Sequence, residues 1–154
     1  MEKQVKSKLC QSDNLIFFGV LLFSLGLVVG LFIPLIANPR MALSSHLEGI
    51  MNGIFLIILG LIWSKVELSH RWLSVTYWLS LYGTYATLIA VLISAIFNSG
   101  KLMPIAGGRE GTPVIEGIIN LMLVSLTLAL LAICFLIMRG LYNHMKSNVE
   151  AENN

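Results

Sequence analysis

Polar and apolar positions in this chain separate into four long apolar runs divided by short polar stretches. The runs extend from Leu15 to Ala37, from about Leu43 to Trp63, from about Trp72 to Phe97, and from about Val114 to Leu141. Each is long enough to cross a bilayer core of about 30 Å at about 1.5 Å per residue. The pattern predicts an all-α, polytopic membrane protein with four transmembrane helices. Residues 1–13 read as an N-terminal tail, 14–141 as a four-helix transmembrane domain and 142–154 as a C-terminal tail. The first run is too long for the apolar part of a signal peptide and lacks a small-residue cleavage site, so it reads as a retained helix. Gly26 and Gly30 within it form a small-xxx-small pair suited to close helix packing. Pro34 and Pro39 close this helix. Ser44 or Ser45 is the expected N-cap of the second. A Gly/Pro loop, 98–113, separates the third from the fourth.

Composition agrees. The 154 residues are 56% hydrophobic and 12% charged, and mean hydropathy is +0.83, outside the range of a soluble domain. The net charge of +2 comes without a basic stripe, so the expected partner is the lipid bilayer and not nucleic acid. Cys10 and Cys134 lie far apart, one in the tail and one in the fourth run, and read as free thiols. Lys3, Lys6, Lys8, Lys65, Arg71, Arg139 and Lys146 fall on one side of the membrane; Arg40, Lys101 and Arg109 fall on the other. That bias puts both termini in the cytoplasm of a bacterial-type inner membrane.

Candidate chemistry concentrates in Met41–Gly53, MALSSHLEGIMNG. Ionisable groups at the mouth of a membrane helix are expensive and need a reason. His46 reads either as a metal or haem ligand or as an interfacial histidine. Glu48 and Asn52 are four apart and share a helix face; His46 lies roughly 200° from Glu48 and roughly 120° from Asn52. His46, Gly49 and Gly53 make a second, flat face against which a planar group or another helix can lie. EGIMN at Glu48–Asn52 is echoed by EGIIN at Glu116–Asn120. The echo suggests a parallel repeat of two helical hairpins, with Glu48 and Glu116 at similar depth.

Glu48 and Glu116 read as acid–base groups, as partners of Arg40 and Arg109, or as carboxylates favoured by helix N-termini. Asn52 and Asn120 read as site residues or as interhelical hydrogen-bonding groups worth about 1 kcal/mol. Tyr82, Tyr85 and Thr87 read as pocket lining or as contacts between helices. Met51, Met103 and Met122 are possible second ligands or core filler. His70 and His144 read as solvated. There is no Walker loop, nucleophile elbow, zinc signature or CxxC, and no CxxCH for covalent haem.

The block NPRMALSSHLEGIMNGIFLIILGLIW (Asn38–Trp63), with GTYAT at Gly83–Thr87 and MPIAG at Met103–Gly107, resembles hydroxylaminobenzene mutase over essentially the whole chain. The spacing of His46 and Asn52 is also similar to that in styrene oxide isomerase, a more distant relative in which that histidine binds haem b and that asparagine faces the substrate. The resemblance implies a membrane-embedded homotrimer with haem at the subunit interface, His46 as the iron ligand and Asn52 in the pocket. The implied reaction is an intramolecular hydroxyl transfer from arylhydroxylamine to 2-aminophenol, a step of nitroarene degradation, with ferric haem as Lewis acid. Within that chemistry the expected roles are proton transfer for Glu48 or Glu116, a pocket place for Asn120 by the echo, cation–π contacts for Tyr82 and Tyr85, and propionate pairing for Arg40 and Arg109. The alternatives are an epoxide isomerase giving an aldehyde, and a non-enzymatic four-helix transporter or scaffold. Against the last, the helices lack a mid-membrane Gly/Pro break and a deep charge pair.

Overall fold

The structure, a computed structural model, describes residues 2–108 and 110–152. Four helices carry the fold: α1 (Glu2–Phe32), α2 (Pro39–Ile62), α3 (His70–Phe97) and α4 (Pro113–Glu152). Short 3-10 turns at Ile33–Leu35, Trp63–Lys65 and Pro104–Ala106 complete it, with no strand among the described residues. All four helices are long and apolar enough to cross a membrane. They run as two hairpins, with α3 touching each of the other three.

α1 and α4 extend through the segments read as tails. Neither extension contains Gly or Pro to break a helix, and both have work at the end where α2 meets α3. Lys8 Nζ donates to Ser64 O (2.9 Å) and Val66 O (3.0 Å). Glu67 takes hydrogen bonds from Ser147 and contacts His144 Nδ1 at 2.7 Å, while its carbonyl accepts from Asn143. His144 is thus a tether between α4 and the α2–α3 connection, not the solvated residue expected.

The start of α2 also differs from expectation. Asn38 is its N-cap, with Oδ1 accepting from Met41 N–H (3.2 Å) and Pro39 in the first turn. An Asn-Pro pair supplies both the capping oxygen and the preset φ. Ser45 instead sits a turn and a half inside the helix, fully buried, donating to Leu88 O of α3 (3.3 Å).

The first hairpin is held by glycine. A Cβ on Gly49 would stand 2.5 Å from Gly26 Cα, and one on Gly53 would stand 2.6 Å from Phe23 N. The two backbones therefore touch, as small residues allow in a membrane where hydrophobic burial adds little. α3 is different. Its buried hydroxyls, Thr76, Ser80, Thr84 and Thr87, each donate to the carbonyl one turn back, so they are satisfied within the helix and pack like small apolar groups. Outward rows of exposed Leu, Val, Ile and Phe on α1, α2 and α4 suit a lipid surface, where helices satisfy their own backbone.

Candidate active site

The flat face of α2 is occupied by another helix. His46 projects onto α1, where Nδ1 lies 2.8 Å from Gly26 O. A Cβ at Gly30 would come within 2.6 Å of that nitrogen, so the pair Gly26 and Gly30 makes the seat for the imidazole. Since a carbonyl only accepts, Nδ1 carries the hydrogen, which in the neutral ring leaves the lone pair on Nε2. Nε2 makes no hydrogen bond among the described residues. This is the arrangement in which a backbone carbonyl fixes tautomer and ring orientation for a ligating histidine.

The second polar face of α2 carries Glu48 and Asn52, both half-buried. Asn52 Nδ2 donates to Glu48 Oε2 at 3.0 Å. The pair leaves Glu48 Oε1, the Asn52 oxygen and one amide hydrogen without partners among the described residues. His46 and the Glu48–Asn52 pair are thus one turn apart along α2 but face different neighbours.

The second copy of the echo has other surroundings. Glu116 is only 7% exposed. Its Oε1 accepts from the backbone N–H of Gly100 and Gly111 (both 2.9 Å), and Oε2 accepts from that of Lys101 (3.1 Å). Those three bonds commit both oxygens, which argues against the proton-carrier role. The expected equal depth also fails. Glu48 lies well inside α2, one turn beyond Ser45, which is level with Leu88; Glu116 lies in the first turn of α4 and reaches past the end of α3. The cause is the long α3–α4 loop, which folds back and lets α4 begin beside it. Asn120 stands one turn further on, with Oδ1 buried and no hydrogen-bond partner among the described residues.

Tyr82 and Tyr85 do not share a pocket. Tyr82 is half exposed, with its hydroxyl 2.7 Å from Ser125 Oγ of α4. Tyr85 donates to Phe18 O of α1 (2.8 Å), its ring edge-on to Phe18. They are three residues apart, but α3 lies between the other helices, so a rotation of about 60° turns each to a different one. Thr87 donates to Gly83 O within α3. Met51 faces outward, Met103 packs against a cluster of Met41, Ala42, Val91, Ala95 and Ala106, and Met122 packs between α3 and α4; none hydrogen-bonds His46 among the described residues.

Arg40 is exposed at the mouth of α2 and makes no ion pair among the described residues. It borders a cavity of about 310 Å³ shared with Asn38, Asn98, Ala106 and Gly107. Arg109 lies outside the described residues. No group of three or more His, Cys, Asp or Glu is placed to hold a bare metal ion among the described residues. A single oriented imidazole fits instead a planar iron group that brings its own nitrogen donors. Sequence reasoning singled out His46, Glu48 and Asn52 as candidates but missed the Gly26 carbonyl that holds the His46 ring; the glycine spacing in α1 was the signal for it.

Four apolar spans with ionisable groups inside the second define a polytopic membrane protein with a candidate catalytic face. The family model for styrene oxide isomerase matches residues 11–142. Hydroxylaminobenzene mutase HabB of Ectopseudomonas oleovorans is 44% identical over 130 residues, 83% of this chain and 79% of that protein. Hydroxylaminobenzene mutase HabA of the same organism is 43% identical over 125 residues, 80% of this chain and 93% of that protein. No solved structure matches at a significant level. The chain belongs to the styrene oxide isomerase family and is an isomerase-type enzyme.

Proposed function

We propose that this isomerase converts an arylhydroxylamine to the corresponding 2-aminophenol. The names of the two mutase relatives support the substrate class. The observation that carries the site is the His46 imidazole, anchored through Nδ1 at 2.8 Å from Gly26 O with Nε2 left free.

The reaction is redox-neutral: the N–O bond breaks, a C–O bond forms at the ortho carbon, and the proton lost from that carbon ends on nitrogen. Ferric haem b, held by His46 Nε2, would supply a Lewis acid that eases heterolysis of the N–O bond. Asn52 offers its oxygen to an N–H or O–H of the substrate. Glu48, tied to Asn52 through Oε2, has Oε1 free to take the ortho proton and return it to nitrogen. The apolar helices exclude water, which would otherwise compete for the electron-poor ring. Because His46 and Asn52 lie about 120° apart around α2, a neighbouring copy completing the site in a homotrimer accounts for both. Arg40, with no carboxylate partner among the described residues, and Arg109 are the cations proposed to pair with the propionates. The charge bias across the membrane supports an inner-membrane location with both termini inside.

A second reading keeps the fold and changes the substrate to an epoxide, as the name of the matching family model favours. The test is to offer the detergent-purified protein hydroxylaminobenzene and styrene oxide in parallel. Formation of 2-aminophenol with little phenylacetaldehyde is expected. The reverse would transfer the assignment to the epoxide, and turnover of neither would remove the arylhydroxylamine assignment.

A further inference from the structure

Glu116 has no need to cap its own helix. Thr112 O accepts from Glu116 N–H (3.0 Å), and Thr112 Oγ1 stands 3.5 Å from Ile115 N. The Glu116 carboxylate is spent instead on amides from both ends of the α3–α4 loop, Gly100 and Lys101 at one and Gly111 at the other. Hydrogen bonds to an ionised carboxylate are about twice as strong as neutral ones, so this one side chain ties the two ends of the loop together.

What the loop covers gives the clamp a purpose. Ala106, at its turn, is buried in an apolar cluster with Met41, Ala42, Val91 and Ala95, with Met103 packed against them. Asn38 ties the same turn to α2, Nδ2 donating to Ala106 O (3.2 Å) and Asn98 Oδ1 (3.0 Å). On the outer side of this cluster lies the cavity bordered by Arg40, Asn98 and Gly107. On the inner side, one turn further along α2, lie Ser45 and His46. Asn38 and Ala106 belong to both the cavity wall and the loop contact. The loop therefore stands between a polar cavity at the end of the bundle and the turn of α2 that leads to Ser45 and His46.

We propose that Glu116 is a positioning residue that holds the α3–α4 loop down as the outer seal of the reaction site, so that the oxygen delivered to the ring is the substrate's own. This rests on the arylhydroxylamine reading. With the seal in place, the departing hydroxyl recombines at the ortho carbon. With it loosened, water adds to the ring, mainly at the para carbon. The added water loses a proton as its C–O bond forms, the ring carbon loses its own proton to nitrogen, and the original hydroxyl leaves as water after taking up a proton. The sum is ArNHOH plus labelled water giving labelled aminophenol plus unlabelled water.

The test runs full-length protein on hydroxylaminobenzene in ¹⁸O-water and reads the isotope content and the 2- to 4-aminophenol ratio by mass spectrometry. The parent protein should give unlabelled 2-aminophenol. Glu116→Ala removes all three bonds and should raise the labelled share at least about tenfold over the parent's background, since the loss of even one charge-assisted bond shifts an opening equilibrium by about that factor; it should also add the 4-isomer. Glu116→Gln, which keeps one accepting oxygen, should fall between. Asn38→Ala cuts the loop's other tie and should shift the label the same way. Variants that are slower yet still give only unlabelled 2-aminophenol would overturn the proposal and leave Glu116 a structural or proton-carrying group. If Glu116→Ala does not accumulate, Asn38→Ala decides alone. Hydrogen exchange separates the two levels. Should the parent make no aminophenol, the substrate reading falls; faster amide exchange over both Lys101–Ala106 and Met41–His46 in Glu116→Ala would still support the seal, and unchanged exchange would end it.

Discussion

His46 uses one ring nitrogen for structure and leaves the other free for the proposed chemistry. Nδ1 is fixed on Gly26 O, and Gly30 leaves room for the ring. Gly30→Ala would set a methyl 2.6 Å from Nδ1, closer than carbon and nitrogen pack. We expect that variant to displace the imidazole and to lose activity by at least about tenfold, with a stability cost of about 1–3 kcal/mol from overpacking. Activity and thermal unfolding in detergent check this; full activity would mean that the ring's place is unimportant. Glu48→Gln should slow turnover by about 10²-fold or more, the usual contribution of a general base, while leaving His46 and its partner untouched. Unchanged turnover would return Glu48 to a helix residue that merely bonds Asn52.

At the scale of elements, the first hairpin depends on close backbone approach and the second does not. Gly49→Leu would drive a side chain into Gly26 Cα and should separate α1 from α2, lowering the unfolding midpoint and activity together. Gly117→Ala on α4 meets nothing within 4 Å and should be neutral or stabilise the helix by about 0.5–1 kcal/mol. Equal effects from the two would contradict the interlocked hairpin. The apolar runs and the Gly26–Gly30 pair made the four helices and this contact legible from sequence, because length and residue size suffice for both. The chosen N-cap was not legible. Ser44, Ser45 and Asn38 all carry capping oxygens, and only the fold shows that Ser45 is buried against Leu88 while Asn38 also holds the α3–α4 loop. The echo of Glu48 in Glu116 misled for a related reason: identical local residues entered different surroundings once the loop folded back over the bundle. Tyr82 and Tyr85 parted because which helix each meets is set by packing around α3, which spacing alone cannot give.

At the scale of the molecule, the end where α1 begins and α4 finishes is tied by polar bonds, with Glu67 at the centre. The hydrogen bond from His144 holds the Glu67 carboxyl below its ordinary range; the bond from Ser147 and the nearby charges of His144 and Lys8 act the same way, against a smaller opposing effect of burial. A folded-state value below the unfolded one means stability that is present above the ordinary carboxylate range and is lost as pH falls through the depressed value. The unfolding midpoint of the parent should therefore drop on acidification, and Glu67→Gln should flatten that acid limb. A parent curve that already matches the Glu67→Gln curve would show the tether to be inert. The opposite end is closed by apolar packing and by Glu116, so the two ends of the bundle are fastened by different chemistry.

The measurement that bears most directly on the whole is the visible absorption spectrum of the detergent-purified protein before and after dithionite, taken beside His46→Ala. With haem supplied during expression, the expected result is a Soret band that shifts on reduction in the parent and is absent from the variant. A featureless parent spectrum, or a band that survives in His46→Ala unchanged, would contradict His46 as the ligand and return it to a histidine that only packs α2 against α1.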